Sequence, residues 1–413
     1  MQYAIEYSPA LRVRIELPSS KSLSNRALCI TALIPSSSQP HNLSECDDTD
    51  AVRRALLSLS GTKDVGAAGT AMRFLTAYFA ASPDADVLLT GTARMLQRPI
   101  GALVDALNSL GANIKYVGTE GFPPLKIIGK ALRGGEVSPP GNISSQYISA
   151  LLMVAPTMRK GLRLNLRGNI LSRPYIDMTL GIMRRYGAKA EWIGDHSLEV
   201  APVPYKPTSM TIENDWSAAS YWYEMVALSP DPDAHVELCG LEKDSLQGDS
   251  RVAQLFEPLG VKTIFNPNGI NLTKANRSAG MFEADLKGQP DLAQTIVTTC
   301  ALLAIPFRIS GLSNLRIKET DRIEALRREL SKLSVDVREE QPGVLSSQGH
   351  MPAAFPSKTT CIDTYNDHRM AMAFAPCCNV TGVITIKDPS VVTKSYPGYW
   401  SDLEKAGFKI TTA

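Results

Sequence analysis

At 413 residues the chain is too long for one ordinary core, so its length predicts two domains. Hydrophobic residues make up 44% and charged residues 20%, a globular balance with no disordered or low-complexity tract. A net charge of +2 argues against a general binder of nucleic acid or membrane surfaces, and no apolar run is long enough to span a bilayer.

The first 18 residues alternate apolar and polar side chains like a strand, and they lack the basic-then-apolar order of a secretion signal. Seven cysteines show no paired spacing. Cys29, Cys300, Cys377 and Cys378 lie in apolar stretches, as expected of small buried residues in a reducing cytoplasm.

Two kinds of helix then alternate along the chain. One kind is apolar all round with polar residues at its start, as in SNRALCITAL, TAMRFLTAYFAA, SQYISALLMVAP, SAASYWYEMVAL, DLAQTIVTTCALLA and DHRMAMAFAPCC. These read as buried inner helices. The other kind is amphipathic, ends at a small residue and passes into a short alternating strand. Its copies end at Gly111, Gly187, Gly260, Ser334 and Gly407, with VRRALLSLSG before Gly61 as a worn first copy. Successive markers from Gly111 onward lie 73–76 residues apart. Gly61 to Gly111 spans only 50 residues, so about two dozen residues are missing near Gly61–Ala71, enough to remove a strand pair from the first repeat.

Six repeats and two domains imply three repeats in each. The expected division is 19–213 for an N-terminal domain and 1–18 plus 214–413 for a discontinuous C-terminal domain closed by the N-terminal strand. No Gly/Ser-rich linker marks either crossing.

Polar residues collect where inner helices begin: Lys21 and Ser22, Gly69 and Thr70, Ser144, Ser145 and Gln146, Asp215, Asp291, and the run Asn366, Asp367, His368 and Arg369. Helix starts favour anions, although Ser, Thr and Asp there also serve as plain N-caps. Arg26, Arg73, Arg94, Arg98, Lys318, Arg322, Arg369 and Lys394 gather in short dense segments. Arg26, Arg73 and Arg369 sit in apolar stretches, where each is expected to meet a carboxylate or an anionic ligand. Lys318 and Arg322, four apart on one expected helix, fit a solvated face equally well. The acid–base candidates are Asp291, otherwise an N-cap, and Glu319, otherwise a salt-bridge partner of Arg322. His368 reads as structural. Neither metal-ligand spacing nor a P-loop or dinucleotide motif is present, so no metal or cofactor is expected.

Taken together, PSSKSLSNRAL, GTAMRFL, TGTARMLQRPI, SSQYISALL, SRPYIDMT, NLRIKETDRI, NDHRMAMAFA and KSYPGYW resemble the 5-enolpyruvylshikimate-3-phosphate synthase family from about Pro18 to Trp400. The resemblance implies two inside-out α/β domains, each of three βαβαββ-type repeats, with the active site in the cleft between them. It implies transfer of the enolpyruvyl group of phosphoenolpyruvate to the 5-hydroxyl of shikimate 3-phosphate, a step toward chorismate and the aromatic amino acids. Lys21, Ser22, Arg26, Ser144, Ser145, Gln146, Ser172, Tyr175, Asp291, Asn314 and Lys318 would hold shikimate 3-phosphate. Lys21, Gly69, Arg98, Gln146, Arg322, Arg369 and Lys394 would hold phosphoenolpyruvate. Lys21, Asp291 and Glu319 would carry the proton transfers.

The chain departs from the family at Ala67, where an asparagine is usual and would supply an amide to the phosphoenolpyruvate pocket. A catalytically degenerate binding homologue is therefore one alternative. Another is the sister enzyme acting on UDP-N-acetylglucosamine, which lacks the KSLSNR and NDHR patterns and carries a loop cysteine absent near Arg94. The chain is expected to be a monomer, because no long exposed apolar stripe is left over.

Overall fold

The computed structural model describes every residue except 8, 36, 279, 351–354, 356–359 and 413. The candidate site residues all lie among the described ones.

The segments that are apolar all round form the innermost helices. Gly69–Ala81 buries every residue but Thr70, and Trp216–Leu228 every residue but Ser217. A helix without a wet face must be enclosed by others. Lys21–Thr31, Gly69–Ala81 and Ser145–Val154 pack on one another, and so do Trp216–Leu228, Ala293–Leu302 and His368–Phe374.

The amphipathic segments lie outside these trios. Ile100, Leu103, Val104, Leu107 and Leu110 are each at most 1% exposed, while Asp105, Asn108 and Ser109 face solvent. Burying each such aliphatic side chain is worth about 1.5–3 kcal/mol. Gly111, Gly187, Gly260 and Gly407 follow their helices at φ of 107°, 83°, 89° and 90°. A Cβ disfavours that left-handed exit, so glycine recurs at the spot and gives the sequence its visible period.

Among the described residues the strands form five four-stranded sheets. Phe282–Asp285 runs parallel to Phe307–Ser310, which pairs antiparallel with Val344–Ser347, and Arg338–Gln341 closes the edge. This is the βαβαββ pattern. The chain forms two compact units, Met1–Pro18 with Glu213–Ala413, and Ser19–Ile212. In the first unit, Gln2–Glu6 lies between Val383–Lys387 and Lys409–Thr412, and Arg12–Glu16 runs parallel to His235–Cys239. The N-terminal strands thus complete sheets built by the last third of the chain and by the repeat that starts at Trp216.

The first repeat differs from expectation in extent. Between Gly101–Ser109 and Ser145–Val154 the chain makes three strands, but between Asp47–Ala55 and Gly69–Ala81 it makes only Ser60–Asp64. A strand pair is missing, as the spacing predicts, but its place lies between Ala55 and Ser60, just upstream of the expected Gly61–Ala71 interval. Among the described residues the first repeat has no sheet at all, because residues 32–46 also form no strand. A strand that has lost its hairpin has few ladder partners. What remains is one parallel bridge from His41 to Thr211. Gly61 is not the helix stop expected of it. The helix ends at Ala55, and Gly61 lies within the strand Ser60–Asp64.

One polar group is sealed inside the discontinuous unit. Glu224 is 0% exposed; its Oε1 meets Thr298 Oγ1, and its Oε2 has no partner among the described residues. Burial raises its pKa well above the usual carboxylate range, so it folds as the neutral acid. The unfolded chain releases this proton at an ordinary carboxyl pH, so the stability tied to it is complete below that pH and is lost as pH rises. Glu224→Gln removes this loss. Its melting temperature should gain on the wild type by several degrees between pH 5 and pH 8. A difference that does not change with pH would show that Glu224 is already ionised in the folded chain.

Candidate active site

In the discontinuous unit the charged residues meet around one guanidinium. Asp321 caps the helix Arg322–Lys332 by accepting from Glu324 N, which places Arg322 at the first turn, 1% exposed. Arg322 Nε and Nη2 donate to Asp367 at 2.7 and 3.2 Å, Nη2 also to Glu319 at 3.0 Å, and Nη1 to Asp291 at 3.3 Å. Burial alone pulls this guanidinium down, but Asp367, Glu319 and Asp291 outweigh burial and raise it above its ordinary value. Arg369 Nη2 donates to the other oxygen of Asp291 at 2.6 Å, and its Nη1 to Tyr221 Oη at 3.2 Å. Lys394 Nζ lies 3.8 Å from Glu319. Three cations and three carboxylates therefore form one cluster.

Two expectations about this group need correction. Asp291 is not an N-cap: it lies in a 3-10 turn, Pro290–Leu292, and its carboxylate goes to the two arginines. Nor do Lys318 and Arg322 share a helix, because Lys318 follows the turn Ser313–Ile317 in extended backbone and the cap at Asp321 lies between them. Asn314 sits in that same turn. Nearby Asp249 is pushed up to about 7, first by burial and next by Asp291, and its carboxylate meets Ser217 Oγ.

In the continuous unit, Ser20 caps the first inner helix and leaves Lys21 at its first position. Lys21 Nζ lies 3.2 Å from Asp48. Ser22 follows, and its carbonyl accepts from Arg26. Arg26 is 2% exposed, and its hydrogen-bond acceptors are neutral: Thr179 Oγ1 at 2.7 Å, Ser149 Oγ, and the carbonyls of Ser22 and Tyr175. The expected protein carboxylate is absent among the described residues; hydroxyls, carbonyls and the face of Phe74 take its place. Burial pulls Arg26 down to about 10.

Gly69 opens the second inner helix, and a Cβ there would come 2.7 Å from Arg98 Nη1. A side chain at this position would require the end of the Arg98 side chain to shift. Arg73 Nη2 donates to the carbonyl of Pro99, which Tyr147 Oη also contacts, so both side chains anchor the backbone beside Arg98. Gln146 Nε2 donates to Thr70 Oγ1 at 3.2 Å, and Ser144 caps the helix that begins with Ser145. Ser172 stands in the left-handed region at φ 55°, directly before the helix that carries Tyr175. Ala67 is exposed.

The structure thus brings Asp291, Glu319, Arg322, Arg369 and Lys394 together, and separately Gly69 with Arg98. Sequence reasoning passed over Asp48, Tyr221 and Asp249, and took Asp367 as a helix-start residue beside His368, where it does cap His368–Phe374, without its bond to Arg322. The acidic run Asp47-Asp48-Thr49-Asp50 after Cys46 was the one local signal for Asp48. Among the described residues no group of three or more His, Cys, Asp or Glu is arranged to hold a metal ion, and no helix is long and apolar enough to cross a membrane.

The EPSP synthase (3-phosphoshikimate 1-carboxyvinyltransferase) family profile matches residues 60–403. A 3-phosphoshikimate 1-carboxyvinyltransferase of Bacteroides fragilis is 51% identical over 412 residues, covering 99% of each chain. Its counterpart from Idiomarina loihiensis is 35% identical, over 95% of this chain and 96% of its own. In fold, the chain is similar to EPSP synthase of Acinetobacter baumannii, with a TM-score of 0.78 at 19% identity and full coverage of both chains. The chain belongs to the EPSP synthase (3-phosphoshikimate 1-carboxyvinyltransferase) family.

Proposed function

We propose that the chain transfers the enolpyruvyl group of phosphoenolpyruvate to the 5-hydroxyl of shikimate 3-phosphate and releases phosphate, and that the charged residues above do the work. The observation that carries the assignment of roles is the Arg322 cluster. Its guanidinium forks suit a carboxylate or phosphate, while the neighbouring carboxylates are the groups that move protons.

Arg322, Arg369 and Lys394, with Lys21, Gly69, Arg98 and Gln146, take phosphoenolpyruvate. Shikimate 3-phosphate is taken by Lys21, Ser22, Arg26, Ser144, Ser145, Gln146, Ser172 and Tyr175, and by Asp291, Asn314 and Lys318. Arg26 favours this reading because its acceptors are neutral and, among the described residues, no carboxylate pairs with its charge.

The reaction adds and then eliminates. The 5-hydroxyl oxygen bonds to C2 of phosphoenolpyruvate, its proton passing to Asp291 or Lys21, while C3 takes a proton from Glu319. The tetrahedral adduct then expels phosphate and returns one C3 proton to Glu319, restoring the double bond. Three cations and three carboxylates balance before the ligand arrives. An anionic substrate entering among them adds negative charge beside Glu319 and favours its protonated form. Guanidiniums fixed in place stabilise the charge of the adduct without reorganising. A monomer working in the cytoplasm belongs to the same proposal, and the seven unpaired cysteines, six of them buried, suit a reducing compartment.

Purified protein should release phosphate steadily only when both substrates are present, and EDTA should leave the rate unchanged. No release, with shikimate 3-phosphate still bound in calorimetry, would instead identify a degenerate binding protein. Glu319→Gln should keep both substrate affinities within about threefold and lose roughly 100-fold or more in kcat. Weakened binding with turnover intact would remove Glu319 from the proton transfers.

A further inference from the structure

The segment that carries Arg369 is built on an unusual turn. Tyr365 and Asn366 are consecutive non-glycine residues in the left-handed region, at φ of 54° and 55°. Side chains with a Cβ avoid this region, so two in succession persist only where the surroundings hold them. Directly after them come Asp367, which accepts from Arg322, and Arg369, which donates to Asp291. The direction in which the turn leaves therefore decides where both groups point.

One helix face supplies the restraint. Arg322 and Glu329 stand seven residues apart on Arg322–Lys332, two turns along the same side. Arg322 grips the segment at Asp367. Glu329, 0% exposed, grips it upstream: its Oε1 accepts from Tyr365 Oη at 2.5 Å, and its Oε2 accepts from Asp363 N at 3.0 Å and Lys332 Nζ at 2.6 Å. The two left-handed residues lie between these grips. Thr364 O also accepts from Asp367 N at 2.8 Å and closes the turn.

We propose that Tyr365, held by the buried carboxylate of Glu329, is a positioning residue that aims Arg369 at phosphoenolpyruvate. The Tyr365 hydroxyl is directed at Glu329, and its effect reaches Arg369 through the backbone of the turn. The proposal rests on the reading that Arg369 takes phosphoenolpyruvate.

Steady-state kinetics of Tyr365→Phe test it. The ring stays and only the hydroxyl is lost, so the unfolding transition should remain cooperative. The KM for phosphoenolpyruvate should rise about tenfold, while the calorimetric affinity for shikimate 3-phosphate stays within twofold of the wild type. Adding Asn366→Gly to Tyr365→Phe should recover most of the loss, because glycine holds a positive φ unaided. A phosphoenolpyruvate KM within twofold of the wild type overturns the proposal. So does a general weakening of both substrates that Asn366→Gly does not relieve. Wild-type protein in the same assay separates the two levels: if it releases no phosphate, the assigned reaction fails, and not the role of Tyr365 alone.

Discussion

A guanidinium with almost no access to water, facing three carboxylates, is the interaction on which the discontinuous unit's functional surface depends. Desolvating Arg322 is costly, and Asp367, Glu319 and Asp291 offset that cost by direct hydrogen bonds. Removing one partner from such a buried group typically costs about 3–5 kcal/mol. The three carboxylates come from a turn before one inner helix, a turn before an outer helix, and the cap of another inner helix. Arg322 therefore ties together the starts of three helices, and Arg369 ties Asp291 a second time. The same bonds that satisfy the arginine fix the distances between the acid, the base and the anion-binding groups.

The fold delivers these groups by repetition. Apart from Arg26, Arg73 and Glu224, the inner helices carry their charge at their starts, where capping residues and exposed N–H groups are tolerated. Evidently one repeat can lose its sheet without losing this function of its helix. Lys21–Thr31 still buries nine residues, held by the neighbouring helices, and still presents Lys21 at its first position. The missing strands lie outside the helices, so their loss leaves the inner trio in place.

Much of this was legible in the sequence because the signals were local. Helix stops at Gly111, Gly187, Gly260 and Gly407 need a left-handed residue, and a missing strand pair shortens a spacing that can be counted. The errors came where the deciding contact was distant. Asp291 read as either an acid–base group or a cap, because nothing nearby shows Arg322 and Arg369, 31 and 78 residues further on. For Arg26 the sequence left a protein carboxylate and an anionic ligand both open, because its acceptors, hydroxyls and carbonyls, come mostly from two other helices. Gly61 was taken for a helix stop because glycine also serves in strands, and only pairing with Val87 reveals which role it has. Nothing local in the sequence marks Glu329, whose partners Tyr365 and the amide of Asp363 lie 36 and 34 residues further on.

Because the cluster is organised around the planar fork of Arg322, the most direct test keeps the charge and removes the fork. Phosphoenolpyruvate can be titrated by calorimetry into wild-type protein and Arg322→Lys, each saturated with shikimate 3-phosphate. Lysine cannot bridge two carboxylates and an incoming anion in one plane, so the variant should bind phosphoenolpyruvate at least about tenfold more weakly. Equal affinity in the two proteins would contradict the role of Arg322 as the centre of the site.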